Sequence, residues 1–297
     1  MSLQGIFEIK RFMNGEFVGG EEFSNLITQS GLELLSKGVG MNQLRIGKGK
    51  VAPTVTSTGV SGVDFGVQGV LQLKNYSAAQ VNDVNGPYIE HIYHATMEAG
   101  FVINDWSDLS VGRFENDTFT ALNHALVKNV QGAPVVINKL RDEVIEITYR
   151  LRIYSIVNPV TVGSLVLGGN EHTVRAVGGQ TKSAIVFDAV RDNTKNFISY
   201  VGAAETNEVP SWAAIDDTSA LADYNVVKAD YVAQSSRHHV DLTFVAPVDT
   251  TRTIGRIRID HPFGALTYLF TPAIVLPARQ ILQLGLDYVW SEGTNNS

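Results

Sequence analysis

Apolar and polar residues alternate with a period of two along much of this chain. In RDEVIEITYRLRIY (141–154), Ile145, Ile147, Tyr149, Leu151 and Ile153 share one side of an extended backbone, and Glu146, Thr148, Arg150, Arg152 and Tyr154 share the other. Leu282, Leu284, Leu286, Tyr288 and Trp290 alternate in the same way against Gln283, Gly285, Asp287 and Val289, as do Val240, Leu242 and Phe244 against His239, Asp241 and Thr243. Such segments predict half-buried antiparallel strands. Glycine and Asn/Asp punctuation, as at Gly168-Gly169-Asn170, predicts the tight turns of a meander or Greek key. Helix is scarce: one short segment, SGLELLSKG, has Ser30 and Glu33 at capping-box spacing and Gly38 where a helix would stop.

Two blocks recur in the same order. Ile145 to Ile153 fall on Leu282 to Trp290 with inward positions on inward positions, and VGRFENDTFTAL (111–122) resembles IGRIRIDHPFGAL (254–266) upstream. The repeat divides the chain near Asn158-Pro159 into domains of residues 1–157 and 158–297. The expected fold is therefore all-β: two related antiparallel β-sandwich domains with at most one or two short helices.

Composition narrows the function classes. The net charge is −7, so a field able to neutralise many phosphates is lacking and nucleic acid is not an expected partner. The absence of cysteine removes disulfide frameworks and thiolate metal sites. Glu8, Lys10 and Arg11 stand where a secretory signal needs an apolar core, and no apolar run nears the length of a membrane span, so a soluble chain is expected.

Candidate chemistry is thin. RIGKGK (45–50) is glycine-rich and basic, but no Lys-Ser/Thr pair opens a helix after it, so it reads as a turn after a strand. In SSRHHVD (235–241), Ser236, His238, His239 and Asp241 could supply nucleophile or metal chemistry, yet on a strand only His239 and Asp241 share a face. His91 and His94 would likewise face opposite sides of a strand. The acidic pairs Asp216-Asp217, Asp105/Asp108 and Glu115/Asp117 lie in turn-like contexts, where aspartate is a good turn residue. Trp106 and Trp212 sit among polar residues and are candidate platforms for stacking on a glycan, while Trp290 follows the inward parity of its strand. No catalytic residue, metal site or cofactor is expected.

Several motifs carry a family resemblance. Asn25, Ile27, Thr28 and Gly31 open the chain; Gly47, Gly49 and Pro53 form a glycine-proline turn. Ala125, Leu126, Gly132, Pro134, Ile137, Asp142, Glu143, Tyr149, Leu151, Arg152 and Tyr154 close its first half. In these motifs the chain resembles tailed-bacteriophage virion proteins over about its first 156 residues, departing at His124, where that family usually has arginine, and at Arg150, where it usually has an acidic residue. The resemblance implies a non-enzymatic structural component, made in the host cytoplasm and built into the virion as a tail, collar, adaptor or fibre-attachment protein. It also implies other virion proteins as partners and a symmetric homo-oligomeric ring or cluster. The alternatives are a carbohydrate or host-receptor binding module of a tail appendage, a capsid decoration protein, and a hydrolase using a carboxylate pair.

Overall fold

A computed structural model gives the architecture of the chain and describes residues 2–36, 40–61, 66–179, 200–204, 226–234, 237–246, 248–261, 264–289 and 291–292. The fold is mainly β, with several antiparallel sheets and one short helix. In chain order the strands begin β1 (Ser2–Met13), β2 (Glu16–Ser24), β3 (Leu26–Ile27), β4 (Gln43–Gly47), β5 (Val70–Gln72), β6 (Lys74–Asp83) and β7 (Gly86–Met97). Next come β8 (Ile103–Trp106), β9 (Asp108–Glu115), β10 (Thr118–Ala121), β11 (Asn123–Leu126), β12 (Ile137–Lys139) and β13 (Glu143–Tyr154). The later strands are β14 (Ile156–Leu167), β15 (Asn170–Gly179), β16 (Tyr200–Ala204), β17 (Val226–Gln234), β18 (Arg237–Val245), β19 (Arg252–His261), β20 (Gly264–Leu276), β21 (Ile281–Val289) and β22 (Ser291–Glu292).

Residues up to Tyr154 form one sheet in the order β2-β1-β13-β7-β6, a second in the order β3-β11-β9-β4-β5 with β10 on β9, and a β12-β8 pair. Beyond them lie the sheets β14-β15-β20-β19-β16 and β17-β18-β21. Among the described residues, β22 is the strand whose ladder joins the two halves, pairing in parallel with β1 at Ser2 and Leu3.

Alternation decides which side of the first sheet is dry. Phe7 lies opposite both Phe23 and Tyr149, and Tyr149 opposite Tyr93, so one aromatic row crosses four strands. Its ring centroids are 5.8 Å apart for Phe7–Phe23, 4.9 Å for Phe7–Tyr149 and 6.2 Å for Tyr93–Tyr149, which is contact distance for aromatic pairs. Leu3, Ile9, Ile147, Leu151 and Ile153 extend this face, and it belongs to the same core as Leu44, Ile46, Leu109 and Val111 of the second sheet.

The repeated blocks fold into like elements. VGRFENDTFTAL spans the β9–β10 hairpin, turning at Asn116 and Asp117 with φ of 50° and 60°, and its counterpart spans the β19–β20 hairpin. The closing strands differ in their neighbours: β13 lies between β1 and β7, whereas β21 pairs with β18 alone among the described residues. Leu282 and Leu284 point inward as the alternation requires, and Trp290 lies outside the described residues. The β14–β15 hairpin turns at Gly168 and Gly169, with φ of 57° and 84°, values that favour glycine.

The helix α1 (Gln29–Ser36) starts two residues before the position that a Ser30 cap implies and uses a different cap. Thr28 Oγ1 accepts from the Gly31 amide at 3.0 Å, so Thr28 is the N-cap, Gly31 takes the third helical position, and Ser30 lies inside the helix rather than capping it. The same hydroxyl donates to Ala121 O at 2.8 Å, and the Thr28 amide donates to Leu122 O at 2.9 Å, which fixes the helix start against the β10–β11 turn. Gly31 is required by that approach: a Cβ there would stand 2.0 Å from Leu122 O. Among the described residues no helix is long and apolar enough to cross a membrane.

Candidate functional site

The densest buried polar cluster lies where β9 begins. Asp108 is fully buried, and four donors converge on its carboxylate. Oδ1 accepts from the Gly49 amide at 3.0 Å. Oδ2 accepts from the Ser61 amide at 2.7 Å and the Ser61 hydroxyl at 3.2 Å, and faces His124 Nε2 at 3.2 Å. Gly49 and Ser61 bracket a long loop, so a single carboxylate holds both its ends.

The glycines of RIGKGK follow from this arrangement. A Cβ at Gly47 would lie 2.5 Å from Asp108 Oδ1, and one at Gly49 would lie 2.1 Å from Oδ2 and 1.9 Å from Ser61 Oγ. Ser107 tightens the junction: its amide donates to Gly47 O at 2.9 Å and its hydroxyl to Gly49 O at 2.7 Å. Farther along the loop, Val55 O accepts from the Gln29 amide at 2.7 Å, which ties the loop to the first residue of α1. Ser110 and Asn123 complete the buried polar layer, with Asn123 Oδ1 accepting from the Val111 amide at 2.8 Å and Ser110 Oγ donating to Asn123 O at 2.6 Å.

Serine, histidine and aspartate side by side invite comparison with a hydrolytic triad, and the connectivity argues against one. A triad places the imidazole between the hydroxyl and the carboxylate, so that one ring nitrogen takes the hydroxyl proton. Here Ser61 and His124 both address Oδ2 of Asp108, and His124 Nδ1 is buried without a hydrogen-bond partner. The chemistry this arrangement performs is backbone restraint.

A second polar cluster sits at the far end of β13. Glu143, fully buried, accepts from Arg11 Nε at 2.5 Å and from the Leu140 amide at 2.9 Å. Lys139, also fully buried, donates from Nζ to Phe101 O at 3.1 Å and Leu140 O at 3.2 Å, with the Phe101 ring centroid at 4.4 Å. Burial lowers the pKa of the Lys139 ammonium, opposed by the nearby Glu143, Asp142 and Glu98 carboxylates.

The outward arginines of β13 are paired within the sheet. Arg150 reaches Glu8 at 2.6 Å and Glu22 at 3.6 Å across β1 and β2, and Arg152 reaches Glu90 of β7 at 2.8 Å. Burial works to raise the pKa of Glu8, but its hydrogen bond from Lys10 and the charge of Arg150 outweigh that and hold it below the usual carboxylate range. Arg150 is thus answered by two glutamates of the same sheet, and His124 by Asp108.

The sequence candidates scatter. Trp106 is not a loop residue open to glycan: it lies on β8 opposite Ile137, fully buried in the core, and cannot offer a ring face to a ligand. Its polar neighbours in sequence disguise this, because burial here comes from the pairing of β8 with β12. Trp212 lies outside the described residues, as do Ser236 and the Asp216-Asp217 pair. His238, His239 and Asp241 fall on β18, opposite Tyr288, Asp287 and Gly285. His91 faces the core and His94 lies on the other side of β7, with Nδ1 3.1 Å from Thr148 Oγ1. Burial drives the His91 pKa down to about 4. Asp105 has φ of 60° beside Trp106, whereas Asp108, read in sequence as its acidic partner at a turn, is the centre of the clasp. Among the described residues no three histidine or carboxylate side chains gather as a group able to hold a metal ion. Comparison with known protein families, with curated proteins and with solved structures found no match.

Proposed function

We propose that the chain is a non-enzymatic structural component of a tailed-bacteriophage virion: a tail, collar, adaptor or fibre-attachment protein that assembles through protein–protein contacts. One observation carries the reading: many of the residues on which the resemblance rests hold backbone in place or fill the core. Ile27 pairs with Asn123, Thr28 caps α1, and Gly31 admits Leu122. Gly47 and Gly49 make room for the Asp108 carboxylate. Gly132, with φ of 78°, turns the loop whose Gly132 and Ala133 amides are held by Asn129. Glu143 anchors the turn before β13, and Tyr149 and Leu151 build its dry face. A virion part needs a rigid β scaffold carrying strand edges and loops for its neighbours, and these residues supply the scaffold.

The glycan-binding alternative loses Trp106 as a platform and rests on Trp212. Mass spectrometry of purified virions tests the leading reading, which fails if the chain is absent from the particles. Electron microscopy of particles labelled with an antibody to the chain then distinguishes a tail or collar position from a capsid-surface one by location and symmetry.

A further inference from the structure

We infer that the outer edge of β14 is a self-association surface, on which a second copy of this chain adds its own β14 in antiparallel register about a two-fold axis. The inference deepens the assembly reading, but the surface is defined by the fold and is tested on the purified chain.

An exposed strand edge invites another strand, and folded proteins normally blunt it with charge, proline or bulges. The other edge strands of nine residues or more follow that practice with charge: β2 carries Glu16, Glu21 and Glu22; β6, Lys74 and Asp83; β17, Lys228 and Asp230; and β21, Asp287. β14 is twelve residues long, ends its sheet, and carries no charged residue. Its protections are confined to its first part, where Pro159 removes a donor and the register with β15 shifts between Ile156 and Val160 and again between Thr161 and Gly163. From Gly163 to Leu167 the ladder with β15 runs without a break, and among the described residues nothing pairs with the far side of that run.

The side chains match. Leu165 and Leu167 turn toward the core, while Val166 on the opposite face is 68% exposed and Val162, at the bulge, is 54% exposed. A second copy brings the same uncharged run, which is complementary to itself about a two-fold axis. Two chains of net charge −7 repel, and an uncharged strand is where they meet with no like charges directly opposed. Antiparallel pairing centred on Leu165 sets Gly163 against Leu167 and Ser164 against Val166 of the other copy, joining two five-stranded sheets into one.

Sedimentation velocity on the purified full-length chain, from micromolar to near-millimolar concentration, reads the association. The wild-type chain is expected to dimerise, and Val166→Lys to weaken dimerisation about ten-fold or more while leaving the circular dichroism and melting temperature of the dilute, monomeric chain unchanged. Because the chain has no cysteine, Ser164→Cys adds a unique thiol. The two Ser164 positions become diagonal neighbours about 8 Å apart, within reach of a short bis-maleimide. That variant should cross-link to a dimer, whereas Val84→Cys, at a fully exposed hairpin turn, should not. A wild-type chain that stays monomeric throughout overturns the inference, including one that accepts only a strand of a different protein. So does a dimer that survives Val166→Lys and leaves Ser164→Cys uncross-linked.

Discussion

Replacing Asp108 by asparagine changes one atom and tests the clasp directly. The carboxylate accepts only, and every group around it is a donor: the Gly49 amide, the Ser61 amide and hydroxyl, and His124 Nε2. An asparagine oxygen can serve one side, but its NH2 then confronts a donor on the other. With that oxygen toward Ser61 and His124, the Gly49 amide is left buried and unsatisfied, at about 1–3 kcal/mol, and the retained bonds fall from charged to neutral strength, at about 1 kcal/mol more. The expected loss is about 3 kcal/mol, a large share of the 5–15 kcal/mol that holds a typical domain. Ser61→Ala removes only the longer hydroxyl contact and should cost about 1 kcal/mol. Urea unfolding reads the free energies, and amide hydrogen exchange at Gly49 and Ser61 reads the clasp locally. If Asp108→Asn moved the unfolding free energy by less than about 1 kcal/mol and left both amides exchanging at wild-type rates, the reasoning would be refuted.

Three further outcomes are expected. His91 has a folded-state pKa of about 4 against an ordinary 6.5, so the unfolded chain protonates first as pH falls. The stability from keeping it neutral is complete above pH 6.5 and is lost between there and pH 4, about 3 kcal/mol in all, so His91→Leu should flatten that slope in urea titrations at pH 7.5 and about 4.5. Gly31→Ala sets propensity against packing: alanine gains about 1 kcal/mol in a helix, but its methyl meets Leu122 O at 2.0 Å, and a net loss of about 2 kcal/mol in thermal unfolding is expected. Trp106→Ala should cost about 3–5 kcal/mol as a core truncation and leave any glycan-array signal of the folded protein unchanged.

Much of the scaffold was legible because its signals are local. The alternation along 145–153 specifies which side chains share a face whatever the strand later pairs with, and the structure buries that row. Gly168-Gly169 makes a tight turn through its own backbone freedom, and the opposed faces of His91 and His94 follow from pleating alone. The helix was legible in place but not in its cap. Thr28 and Ser30 are both good caps, and the choice falls to Thr28, whose hydroxyl and amide also meet Ala121 and Leu122.

The site was not legible, because its members are distant in sequence and ordinary one by one. Asp108 resembles a turn residue until the loop from Gly49 to Ser61 and the strand carrying His124 are brought against it. Trp106 stands among polar residues and is buried because β8, paired with β12, carries it into the hydrophobic core. Arg150 and Arg152 are an outward charged row in sequence, and only the register with β1, β2 and β7 shows which glutamates neutralise them. By itself the sequence determined the all-β class, the strand at 145–153 with its dry face, the tight turn at Gly168-Gly169 and one helix, because side-chain period and backbone freedom act over a few residues. The tertiary structure decided the sheet order, the carboxylate that clasps the loop, and the strand edge left without charge, because those depend on pairing between residues tens of positions apart.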